Sequence, residues 1–160
     1  MKWAVINCKQ TTTSYLHSPY NKYYFQFKII NKIKKPLSAV ATFHETYDLL
    51  TNESPTVDVA DSIKSLRYEL MKEENEEYLE AVKNNDLVEM ADALGDMLYI
   101  LCGTIITHGM QHKISAVFEE IQRSNLSKLG KNGKPIYRED GKVMKGPNYF
   151  KPNIAKVLES

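Results

Sequence analysis

Seven carboxylates carry the most chemistry in this chain. Glu73, Glu74, Glu76 and Glu77 crowd around Asn75, and Glu89, Asp92 and Asp96 come later at i, i+3 and i+7 in an otherwise apolar run. Between the two groups lies Asn84-Asn85-Asp86, a polar turn whose aspartate is placed to cap the second helix. So short a connection folds two helices back on one another. The hairpin sets Glu77 opposite Asp92 and Glu73 opposite Asp96, so carboxylates from both helices converge on one small volume. Like charges that close need protons or a cation. Oxygen donors without His or Cys favour a hard ion, Mg2+ or, as a substitute, Mn2+. A glutamate-rich helix alone is ordinarily a solvated face, but aspartates striping an apolar helix are harder to dismiss. Glu73, Glu74, Glu77, Glu89, Asp92 and Asp96 are therefore the candidate metal ligands.

The elements that must position these groups read as helices. Residues 37–50 place Val40, Phe43, Tyr47 and Leu50 on one stripe. After a polar loop with Pro55, Asp58 or Asp61 is placed to cap a helix running to about Lys83. Its inward stripe reads Ile63, Leu66, Leu70, then Glu73 or Glu74, Glu77 and Ala81, with Glu69, Lys72, Glu76, Glu80 and Lys83 on the solvated side. The next helix, about 87–108, is apolar nearly all round, so it should be buried with its acidic stripe facing an interior cleft. A fourth, about 113–128, carries Ile114, Val117 and Ile121 as core. Beyond Gly130, Gly133 and Pro135, residues 136–144 read as a hairpin around Asp140-Gly141. The expected fold is all-α: a bundle of four to five helices in residues 36–160, the acidic site on an antiparallel helix hairpin, and a short β-hairpin-like C-terminal tail.

Composition bounds the rest. The chain has 160 residues, 42% hydrophobic and 26% charged, with mean hydropathy −0.42, which suits one soluble domain with one core. The longest candidate membrane run, residues 97–106, falls short of the ~18 residues a crossing needs. Cys8 and Cys102 lie far apart, which suits a reducing, cytoplasmic setting and excludes a cysteine zinc cluster. The net charge of +1 conceals seven lysines and no acid in residues 1–44 and −6 in the remainder. Residues 1–35 are thus a basic, aromatic extension, strand-like over 23–30, readable as an arm over the body, a targeting segment or an unstructured leader. Scattered lysines are poor evidence for nucleic acid. Residues 130–135 lack the spacing and hydroxyl of a Walker loop, no Glu-x-x-His pair suggests a di-iron bundle, and His108 with His112 flank a helix-ending glycine, a poor zinc clip.

Glu73-Glu74-Asn75-Glu76-Glu77 and Glu89-Met90-Ala91-Asp92 together resemble the E-E-x-x-E and E-x-x-D motifs of the MazG-type all-α NTP pyrophosphohydrolase superfamily. That superfamily also holds helical dUTPases and phosphoribosyl-ATP pyrophosphohydrolase. Residues 124–130 and 133–142 resemble a bacterial and phage subgroup, and the likeness covers roughly residues 37–152. It implies a bundle that forms a homodimer or dimer of dimers, with Mg2+ in the acidic cluster and Asp92 or Asp96 as the last ligand. The implied reaction cuts the bond between the α- and β-phosphates of a nucleoside triphosphate, yielding monophosphate and pyrophosphate.

For that chemistry, Glu74 or Glu77 is placed to orient and deprotonate water. Arg67, Lys128 and Lys145 would hold the outer phosphates, and Asn125 would position the nucleotide. The plain alternative for Arg67 is an ion pair with an acid one turn away. His44 and Tyr47 would stack on the base, though core packing suits Tyr47 better. Two rivals remain: a helical metal- or nucleotide-binding module without turnover, and a nucleic-acid-associated protein acting through its basic head. Retention of every clustered acid argues against the first, because an inactive descendant gains by replacing them.

Overall fold

The computed structural model describes the backbone of residues 19–160 and the side chains of residues 33–160. Cys8 and Tyr15 of the basic extension lie outside the described residues. Five helices are present: α1 (Pro19–Thr46), α2 (Asp61–Asn84), α3 (Leu87–Thr107), α4 (Ile114–Leu126) and α5 (Ile154–Glu159). The chain divides into two compact units, Met1–Lys34 and Lys35–Ser160. The division falls next to Pro36, inside α1, where the missing N–H removes one helical hydrogen bond.

Residues 23–30 belong to α1 and form no strand. Their run is apolar on both alternating faces, so period two carried no real information there. The buried stripe of α1 is Leu37, Val40 and His44, at i, i+3 and i+7. Phe43 and Tyr47, expected inside, are 38% and 62% exposed, and the helix ends before Tyr47. Both stripes have helical spacing; which one turns inward depends on where the other helices lie.

Neither Asp58 nor Asp61 caps α2. The position before the helix is Ala60, without a side-chain cap, while Asp61 stands in the first turn and pairs with Lys64 at 2.9 Å. The inner face of α2 runs Ile63, Arg67, Leu70, Glu74, Tyr78 and Ala81. Arg67 thus takes the inward place expected of Leu66, which is 53% exposed. At the far end Asn85 adopts the left-handed conformation (φ 54°), its N–H closing onto the last carbonyls of α2. Asp86 then caps α3, accepting from the Val88 and Glu89 amides at 3.0 and 3.1 Å. The resulting α2–α3 hairpin is the most extensive helix pairing in the fold.

By length and composition alone, α3 is apolar enough to cross a bilayer, a longer run than residues 97–106. Asp96 stands near its midpoint, however, where an aspartate in a bilayer costs about 2.5–3.5 kcal/mol. Only part of α3 is covered among the described residues. Ala93, Cys102, Ile105 and Ile106 are buried, but Leu94, Leu98 and Leu101 form a stripe 45–47% exposed. The expectation of a helix buried on most sides is corrected accordingly.

A strap over residues 51–58 closes the end of α3. The Asn52 side chain donates to Thr107 O at 2.7 Å, and His108 Nδ1 donates to Thr56 O at 2.8 Å. Gly109 (φ 66°) lets Ser54 pass where a Cβ would sit. After α4 the expected β-hairpin is corrected to one antiparallel bridge, Tyr137–Val143, with no strand. The tail is instead anchored to α4, where Ser124 Oγ donates to Phe150 O (2.7 Å) and Phe150 N donates to Ser127 Oγ (3.1 Å).

Candidate active site on the acidic hairpin

The hairpin register decides which acids meet. Glu74 occupies the inner face of α2 because it lies seven residues from Arg67 and from Ala81, two helical turns either way. Its side chain is 9% exposed, and Oε2 is buried without a hydrogen-bond partner. Burial pushes its carboxyl above the ordinary carboxylate range, and the negative charges of Glu77, Asp96, Glu73 and Asp92 push it further. One buried acid is therefore ringed by four exposed ones, drawn from both helices. Glu89 stands apart with Glu77, lining a cleft of about 260 Å³ at the turn end together with Glu80, Ala81, Asn84 and Asp86.

Among the described residues no interior cleft encloses the acidic stripe: Glu89, Asp92 and Asp96 are exposed. Among the described residues no three acidic, His or Cys side chains are gathered tightly enough to hold a metal as they stand. The outer carboxylates are exposed, whereas the buried, unsatisfied oxygen of Glu74 is a group that needs a proton or a cation. The donor set fits Mg2+ in its chemistry: all oxygen, several charges, one of them desolvated.

Arg67 forms no ion pair among the described residues, so the alternative pairing with an acid one turn away is absent there. Its Nε is buried without a partner, and burial lowers its proton affinity. It packs on α3 at Gly103: a Cβ there would lie 3.0 Å from Arg67 Nη1 and 3.0 Å from His44 Nε2. His44 is 2% exposed and its Nδ1 donates to Leu50 O at 3.1 Å, so this ring does not stack on a base. Tyr47 is exposed and packs on Phe43, with ring centroids 4.4 Å apart, outside the core.

Asn125, Lys128 and Lys145 belong to another neighbourhood. Asn125 is exposed near the end of α4, whose main helix partner is α5. Lys128 O accepts from Gly146 N (2.9 Å), and Lys145 Nζ lies 4.4 Å from the Tyr149 ring centroid. No ion pair among the described residues joins either lysine to the carboxylates. Sequence reasoning missed Gly103, for which the only signal was a small residue interrupting an apolar helix. It also left open whether Glu73 or Glu74 continues the inner stripe of α2, which burial decides for Glu74.

Comparison with known proteins bears on this hairpin directly. The sequence profile of phosphoribosyl-ATP pyrophosphohydrolase matches residues 40–125, more than half of the chain and all of α2 and α3. The chain belongs to the phosphoribosyl-ATP pyrophosphohydrolase family. That family lies within the MazG-type all-α superfamily whose acidic motifs the sequence resembles. The matched span contains His44, Arg67, every candidate carboxylate, Gly103 and Asn125, but neither Lys128 nor Lys145. An uncharacterized protein of Acanthamoeba polyphaga mimivirus is 31% identical over 97 residues, 59% of this chain and 39% of that relative. The aligned stretch thus spans well under half of the relative's length. A crystal structure from Exiguobacterium sp. 255-15, provisionally assigned as an NTP pyrophosphohydrolase, is 26% identical. It covers 78% of this chain and 91% of its own, with a TM-score of 0.39.

Proposed function

We propose that this member of the phosphoribosyl-ATP pyrophosphohydrolase family is a Mg2+-dependent nucleoside triphosphate pyrophosphohydrolase. It would cleave NTP to NMP and pyrophosphate, removing unwanted nucleotides from the pool. The supporting observation is the desolvated Glu74 carboxylate, one oxygen unsatisfied, within the field of Glu73, Glu77, Asp92 and Asp96. Those five acids, with Glu89 at the margin, would hold Mg2+ or Mn2+. When bound, the ion supplies charge neutralisation for the polyphosphate and for the departing pyrophosphate.

The remaining work falls to the protein's own groups. Water adds to phosphorus in the α–β anhydride, the bridging P–O bond breaks, and pyrophosphate leaves with that electron pair. Glu74 takes the proton from the water: its raised proton affinity makes it a stronger base than an ordinary carboxylate. Glu77, exposed one turn on, orients the same water or substitutes as base. Arg67 lies on the same inner face as Glu74 and supplies positive charge for the outer phosphates; Asn125 at the end of α4, with Lys128 and Lys145 beyond it, would contact the nucleotide. A second copy of the chain would cover the Leu94–Leu98–Leu101 stripe, forming a homodimer or dimer of dimers.

Product analysis on a panel of canonical and modified NTPs, dUTP and phosphoribosyl-ATP tests the reading, with Mg2+, Mn2+ and EDTA arms. Monophosphate plus pyrophosphate, only with metal, is the expected result, and the fastest substrate names the role. Diphosphate plus orthophosphate, or turnover unaffected by EDTA, would overturn it. Glu77→Gln and Asp92→Asn should each abolish hydrolysis while the helical circular dichroism remains.

A further inference from the structure

The cation of α2 has an arrangement that its charge alone does not explain. Arg67 is half-buried on the inner face, its Nε is enclosed without a partner, and no acid among the described residues neutralises it. Desolvating a guanidinium without an acid or acceptor is costly. A crossing of three helices holds it in place. Gly103 of α3 provides the floor, because an added Cβ would sit 3.0 Å from both Arg67 Nη1 and His44 Nε2. Those two nitrogens are consequently no more than about 6 Å apart. Nδ1 of His44 is committed to Leu50 O, which assigns its proton there and leaves Nε2 unprotonated where the ring meets Gly103. Burial and the nearby Arg67 charge both depress the proton affinity of His44, so the ring is neutral beside the cation.

The hairpin puts this crossing in register with the acids. Arg67 precedes Glu74 by seven residues on α2 and Gly103 comes seven after Asp96 on α3, so both pairs are separated by two turns, about 10 Å. An extended polyphosphate and the reach of an arginine together cover that span. We propose that His44 and Gly103 are positioning residues that hold the Arg67 fork as a seat for the terminal oxyanion of a polyphosphate whose other end lies at the Glu74 layer. The inference rests on the pyrophosphohydrolase reading for the identity of the ligand and on the three-helix crossing for the seat. A planar fork fixed from below receives a phosphate through two parallel N–H···O bonds, which a flexible ammonium cannot reproduce.

The test is calorimetric titration of inorganic pyrophosphate into the full chain in Mg2+ buffer, with Mg2+ alone titrated as the control for an intact acidic layer. Arg67→Gln should weaken pyrophosphate about 10- to 100-fold, the loss of a charge-assisted contact, and leave Mg2+ binding unchanged. Arg67→Lys should recover only part of that. His44→Asn keeps a donor for Leu50 O but removes the ring, and Gly103→Ala pushes both side chains aside. Each should weaken pyrophosphate several-fold and raise KM for the nucleotide more than it lowers kcat, a split that a general loss of fold does not produce. Should Gly103→Ala fail to fold, Arg67→Gln and His44→Asn carry the test. Wild-type pyrophosphate affinity in Arg67→Gln, or no binding by the wild type, overturns the seat even where nucleotides are hydrolysed. Arg67-dependent pyrophosphate binding without hydrolysis of any nucleotide upholds the seat and overturns the enzymatic reading instead.

Discussion

At the scale of single residues, two buried titratable groups place opposite demands on pH. Glu74 has its proton affinity raised by burial and by neighbouring acids. Below about pH 4.5, its ordinary value, folded and unfolded chains both hold the proton and no penalty arises. As pH climbs towards the raised folded value, the unfolded chain ionises first and stability falls. Glu74→Gln should therefore raise the Tm of the metal-free protein at pH 7 and flatten its decline above pH 4.5, while eliminating hydrolysis. Differential scanning fluorimetry across pH in EDTA measures this. His44 behaves in the reverse sense. Its proton affinity is depressed from 6.5, so its neutral form contributes fully above that value and stability is lost as pH falls below it. His44→Asn should reduce the loss of Tm as pH falls below 6.5, at the expense of pyrophosphate affinity. A wild-type slope in that window for His44→Asn would show that another group governs it. In sequence these roles were half legible. The acids were recognisable as a set, but which glutamate is desolvated depends on a rotation of one residue about the α2 axis.

At the scale of elements, the α2–α3 turn was the most legible feature because its determinants are local. Asn tolerates the left-handed conformation that ends α2, and an aspartate accepts the free amides that begin α3. Asp86→Ala should cost about 1 kcal/mol in urea denaturation, the usual value of a lost N-cap. Asn85→Gly should be neutral or slightly stabilising, whereas Asn85→Val, β-branched at φ 54°, should cost about 1–2 kcal/mol. The less legible elements lacked such local determinants. Residues 37–50 offered two stripes with helical spacing, and the one containing a histidine is buried. Residues 136–144 had the Asp-Gly of a hairpin, yet only Tyr137 and Val143 bridge. Two isolated strands without a third or a helix beneath them have little to bury, and the anchoring side-chain bonds go to α4 instead.

For the molecule as a whole, the uncovered apolar area is the leading physical fact. The stripe of Leu94, Leu98 and Leu101 on α3 is nearly half exposed, and Phe118 and Ile121 of α4 are similarly bare. Exposed apolar stripes of this kind mark contact surfaces. Leu98→Glu should shift the protein to monomer in sedimentation velocity, and an unchanged assembly would place the interface elsewhere. The proposed metal belongs to this scale too, since it would offset repulsion between two helices. EDTA should leave the helical signal intact but abolish turnover, and Mg2+ should restore turnover and raise Tm.

The amino-acid sequence by itself determined an all-α chain, the hairpin and its cap, and a concentration of carboxylates suited to a hard cation. These arise from short-range rules: helical period, turn chemistry and the valence of oxygen donors. The tertiary structure decided which face of each helix turns inward. That choice buried Glu74 instead of Glu73, brought Arg67 inside in place of Leu66, and set His44 and Gly103 around it. The reason is geometric. Helical periodicity tolerates a rotation of one residue with little change in spacing, whereas burial, and with it proton affinity and the reach of a guanidinium, changes completely with that rotation.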